Sequence, residues 1–113
     1  MNTTATYPTR LSEPTWSETM TAAKQAAKAD DWKMATAYFR HAEAMVYVAE
    51  NGGRSVGNTV ARQHCKDLTA ACNEAESWDY IARRNPKSIQ AHQNAIQARE
   101  AARDLIGLNN SWG

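Results

Sequence analysis

A chain of 113 residues has room for one domain with a real core and none for a second. Alanine supplies about a fifth of it while glycine and proline number only five and three, a composition that favours helix and argues against a β-rich fold. Thirteen basic against twelve acidic side chains give a net charge of +1, which excludes a global field holding the protein on a polyanion or an anionic membrane.

Residues 1–14 are rich in threonine and proline and read as a tail without the charged and apolar regions of a secretory signal. Folding begins at Thr15, which with Glu18 forms a capping box and opens a helix running to about Ala29. Along it Trp16, Met20, Ala23 and Ala27 fall on one thin stripe, so the first helix is expected at the edge of the fold.

Asp31 caps a second helix, Asp31 to Glu50, on which Trp32, Ala35, Phe39, Ala42, Val46 and Ala49 alternate at three and four residues. Met34, Tyr38, Met45 and Val48 widen that face, marking this helix as the central one. Asn51, Gly52 and Gly53 are expected to stop it.

A third helix starts near Ser55 or Asn58 and keeps helical period through Val60, His64, Leu68, Ala71, Ala75, Trp78 and Ala82. The polar stretch Asn73 to Ser77 leaves open one long helix or two short ones. Asn85 and Pro86 mark the next boundary, and a last helix runs to about Ile106 with Ile89, Ala95, Ile96, Ala98, Ala102 and Leu105 as its apolar side. Gly107 closes it, and residues 108–113 form a short tail carrying Trp112.

The pattern predicts an all-α, compact antiparallel bundle of about four helices, or five if the third divides, as a single domain over 15–107. No apolar run approaches the roughly 20 residues that span a bilayer. A soluble, cytoplasmic protein is therefore expected.

The segment AAKADDWKMATAYFRHAEA, with Ala27, Trp32, Ala35, Phe39 and Ala42 at small and aromatic positions, resembles a tetratricopeptide repeat. That resemblance covers one helical hairpin, residues 16–49. It implies an α-helical protein that binds other proteins.

A second motif is a helix-turn-helix-like hairpin around residues 44–68. There Arg54, Asn58, Arg62, Gln63 and Lys66 carry the donors that reach phosphates and base edges, while Val60 and Leu68 anchor the helix. Arg83, Arg84 and Lys87 form a second basic cluster at the third-to-fourth helix turn, where cations also suit a helix C-terminus.

Cys65 and Cys72 lie two turns apart on one helix, about 10 Å between α-carbons and beyond the ~7 Å reach of a disulfide. Reduced thiols follow. His41, His64, His92 and the cysteines have none of the spacings that bind zinc, and no phosphate loop, nucleophile elbow or HExxH pair is present.

No metal and no cofactor are therefore expected. Four tryptophans beside one phenylalanine make a tryptophan-rich balance, and Trp16 and Trp112, near the chain ends, are the candidate protein contacts. The functional expectation is a non-catalytic protein-interaction module, an adaptor, inhibitor or small accessory protein of phage or plasmid type. Its partner would be another protein or a second copy of itself; DNA binding through the 44–68 hairpin is the alternative.

Overall fold

The computed structural model describes residues 15–52 and 56–108, and among these the chain forms four α-helices and no strand. They are α1 (Trp16–Lys28), α2 (Trp32–Gly52), α3 (Val56–Arg84) and α4 (Ile89–Ile106). Together they make a compact all-α bundle.

Local chemistry sets the ends. Thr15 accepts from the Glu18 N–H at 3.1 Å while the Glu18 carboxylate accepts from the Thr15 N–H at 2.8 Å, a complete capping box. At the far end of α1 the Asp30 and Asp31 N–H groups bond back to Ala27 and Ala26, the Schellman closure. Asp30 takes the left-handed position (φ 61°) that glycine usually fills, tolerated because its side chain is short and polar. Asp31 then caps α2 by accepting from the Met34 N–H.

Two boundaries depart from the sequence reading, and one open alternative is decided. Asn51 and Gly52 remain inside α2. The third helix is one continuous element of 29 residues, since a polar stretch weakens burial without breaking the hydrogen-bond ladder. Its successor is capped by Ser88, whose hydroxyl accepts from the Ala91 N–H at 3.1 Å, and Pro86 lies in the preceding turn. Gly107 (φ 97°) closes α4 as expected.

Tertiary bonds fix the helix directions. Thr19, early in α1, donates to Met45, late in α2, so the two run antiparallel. Cys65 on α3 lies 3.9 Å from Met20 on α1. Trp32, first in α2, shares a cleft with Asp79 near the end of α3, and Arg99 of α4 reaches that same Asp79. The helices therefore alternate in direction, joined by short turns.

The core falls into two unequal parts. The main cluster draws on all four helices: Met20, Ala23 and Ala27; Trp32, Ala35, Phe39 and Ala42; Cys65, Leu68, Cys72 and Ala75; and Ala102. The second contains only Ala82, Ala91 and Ala95, with Trp78 half-buried against it. Among the described residues α3 and α4 alone supply it. Because α1 and α2 meet at residues 29–31, the distal ends of α3 and α4 continue past that turn as a two-helix hairpin held by alanines, small enough for close helix approach.

The buried faces of α3 and α4 differ from those read off the sequence. On α3, His64 and Val60 are exposed and the buried line runs through Cys65, Leu68, Thr69, Cys72 and Ala75 before turning to Ala82. On α4 the alanines face inward, while Ile89, Ile96 and Leu105 are exposed. Two apolar stripes competed on that helix, and the partner surface of α3 accepts only the narrow one.

Candidate functional site

The predicted contact residues do not form one site. Trp16 opens α1 and remains 38 % exposed; Trp112 lies outside the described residues. Arg54 also lies outside them, and Asn58 belongs to α3 although its side chain is not described. Gln63 and Lys66 are exposed and Arg62 is half-buried, and Gln63 donates to Asp67 at 2.9 Å. These residues sit on one end of the 29-residue helix that lies antiparallel to α2.

Arg83, Arg84 and Lys87 are all exposed at the other end of α3. About 21 residues separate Arg62 from Arg83, roughly 30 Å along the helix axis. The two basic groups are thus distinct surfaces.

The distal hairpin carries several large exposed side chains, while Trp16, Met34, Val60 and Leu105 are exposed elsewhere. Tyr80 is 60 % exposed, Ile89 74 % and Ile96 52 %, and Ile81 is exposed on another side of α3. Arg84 stands over the Tyr80 ring, 5.5 Å from its centre, a cation–π contact at the rim. In the first turn of α4, His92 Nε2 lies 3.0 Å from the carbonyl oxygen of Pro86 in the preceding turn, which can only accept, so the hydrogen bond is made with the proton on Nε2.

One flank of the hairpin faces the α1–α2 turn. Asp79, itself largely covered, takes both Arg83 and, at 3.3 Å, Arg99, tying α3 to α4 across this flank. Ile96 and His92 precede Arg99 by three and seven residues, and Ile89 precedes Ile96 by seven, so helical period carries all three along the same side of α4. The result is an uncovered shelf.

At the base of the shelf is a cleft of about 370 Å³. Asp30 and Asp31 enter it from the α1–α2 turn, Lys33 from the start of α2, and Glu76, Asp79 and Tyr80 from α3. Trp32 forms part of its wall, and the indole N–H is buried with no hydrogen-bond partner among the described residues. Arg103 of α4 pairs with Asp30 and with Glu100, and its guanidinium lies 5.7 Å from the centre of a Trp32 ring.

The opposite flank of the hairpin has a groove of about 500 Å³ between α3 and α4. Ala71, Ala98 and Ala101 make its floor, Trp78 one wall, and Glu74 and Asn94 its polar rim.

Both cysteines are free and buried. Burial pushes the Cys72 thiol up to about 12 and raises that of Cys65, the latter opposed in part by the Trp16 side chain. Protonated thiols are poor nucleophiles and poor ligands. Among the described residues no group of three or more His, Cys, Asp or Glu side chains is placed to hold a metal ion, and no helix is long and apolar enough to cross a membrane.

Comparison of the chain with protein-family models, with curated proteins and with solved structures finds no match. Sequence reasoning missed the shelf because Ile89 and Ile96 look like core residues on α4. The usable signal was the alanine line Ala91, Ala95, Ala98 and Ala102, a second stripe that leaves the isoleucines facing out.

Proposed function

We propose that this protein works by binding another protein chain, without catalysis, and that the uncovered shelf of the distal α3–α4 hairpin is its binding face. The observation that carries this reading is the exposure of Tyr80, Ile89 and Ile96 where two helices project beyond the other two. Large exposed apolar side chains grouped in one region and rimmed by charge are typical of contact surfaces. The buried, protonated thiols add that neither cysteine is placed to act as a nucleophile.

The tetratricopeptide resemblance of the α1–α2 hairpin fits the same reading, since Trp32, Ala35, Phe39 and Ala42 are used as interhelical packing residues. An adaptor, inhibitor or accessory role in a reducing cytoplasm is the corresponding biological setting.

The test is site-specific photo-crosslinking in native extract. A crosslinker at position 96 on the shelf should yield a discrete protein adduct, and one at position 44, exposed on α2, should not. Equal labelling from both positions, or adducts to nucleic acid alone that vanish at high salt, would refute the proposal.

A further inference from the structure

The charges on the distal hairpin are divided along its length. From Tyr80 to Arg99 there is no acidic residue, while Arg83, Arg84, Lys87 and Arg99 are basic. At the base Asp30, Asp31, Glu76 and Asp79 gather around the cleft with Lys33 and Arg83, and the carboxylates left outside the ion pairs there are Asp31 and Glu76. Some of this charge is neutralised within the molecule, because Asp79 takes Arg83 and Arg99 and Asp30 takes Arg103. Arg84 and Lys87 at the tip, and Glu76 and Asp31 at the base, enter no ion pair of that set.

A surface that is basic at one end, acidic at the other and apolar between them is complementary to itself when turned end for end. A two-fold axis performs that operation. We infer that the shelf's occupant is a second copy of this chain: two molecules pair antiparallel through their distal hairpins, each basic tip meeting the other's acidic cleft. This inference rests on the binding-face reading above.

The architecture points the same way. Among the described residues four helices surround the main core and two, packed through alanines, the distal one. Face-to-face pairing supplies the missing two and closes a four-helix arrangement over Ile96, Ile89 and Tyr80. About ten residues of α4 span about 15 Å and two packed helices about 20 Å, so the shelf alone buries on the order of 600 Å² in the pair, to which the tip-to-cleft contacts add. An interface of that size lies in the range of weak, transient association, so the dimer is reversible at micromolar concentrations.

Sedimentation velocity on the full chain, from about 5 to about 500 μM, tests this against the expected affinity range. The weight-average mass should climb toward twice that of the monomer, and raising NaCl from about 0.05 to about 0.5 M should weaken the association by screening the tip-to-cleft attraction. Ile96→Glu should keep the protein monomeric throughout. Lys87→Glu and Glu76→Lys should each weaken pairing about fivefold or more, and combining them in one chain should restore it by re-forming the pair with exchanged signs.

Ile96, Lys87 and Glu76 lie outside the buried core, and unchanged thermal unfolding midpoints of the variants at low concentration would show that the fold is intact. A monomer at every concentration would overturn the inference, as would a dimer indifferent to all the substitutions. If the chain stays monomeric while position 96 still crosslinks a different protein, the second-copy inference falls and the binding-face reading stands. Failure of both experiments removes both.

Discussion

Phe39 is the chain's only phenylalanine and is fully buried at the centre of the main cluster, so Phe39→Ala probes the whole bundle. The lost transfer free energy of a buried aromatic ring is about 2 kcal/mol. Truncation also opens a space on the order of 100 Å³, which at about 24 cal/mol per Å³ adds up to ~2.4 kcal/mol if the walls stay put. Those walls are unusually fixed. Ala23, Ala27, Ala35, Ala42 and Ala75 of the same cluster have no side-chain torsion with which to fill the space, which leaves the relaxation to a few longer side chains such as Met20 and Leu68.

The expected cost is therefore about 4 kcal/mol, within the usual range for such truncations. Against a total stability of roughly 5 to 15 kcal/mol for a domain of this size, that is a large fraction. Urea denaturation followed by helical circular dichroism is the assay, with equal m values required for wild type and variant. A midpoint unchanged by Phe39→Ala would refute the packing argument. A loss near 2 kcal/mol would show instead that the helices close in around the vacancy.

Three further outcomes follow from particular side chains. Trp32→Phe should cost under about 2 kcal/mol, because the buried indole N–H has no partner to lose, whereas Trp32→Ala should cost about 3 to 5; equal losses in urea melts would show that the N–H matters. Thr15→Ala breaks the capping box and should lower stability by about 1 kcal/mol, and faster amide exchange confined to the first turn of α1 would locate the effect. Wild-type amide exchange in that turn would count against it.

Cys72 titrates about 12 in the folded chain against an ordinary thiol value of 9.0, so above pH 9 the unfolded chain releases a proton that the folded one keeps. Stability should consequently fall by up to about 1.4 kcal/mol per pH unit between about 9 and about 12, and be indifferent to this group below that window. Cys72→Ala, compared with wild type by urea melts at several pH values, isolates the contribution. Identical slopes in the two proteins would contradict it.

Much of the fold was legible in the chain. Helix count and approximate ends could be read from Thr15 with Glu18, from Asp31 and from Gly107, since capping is local chemistry set by neighbouring residues. The α2 core line Trp32, Ala35, Phe39, Ala42 and Val46 was also visible, because that helix is buried on a single strongly apolar stripe. Alanine made the rest ambiguous. It suits a helix anywhere and declares no face, so on α4 the larger Ile89 and Ile96 looked like the core when the alanines were.

The sequence by itself determined the all-α class, the number of helices and the buried line of α2, because these depend on propensity, caps and periodicity within each segment. Only the tertiary structure decided how far each helix runs past its neighbours. Whether an isoleucine is covered depends on the presence of another helix at that height, and α1 and α2 turn at residues 29–31 before reaching Ile89 and Ile96. The same long-range fact placed Asp30 and Asp31 beside Glu76 and Asp79, more than forty residues away in the chain, and left the basic tip projecting beyond them.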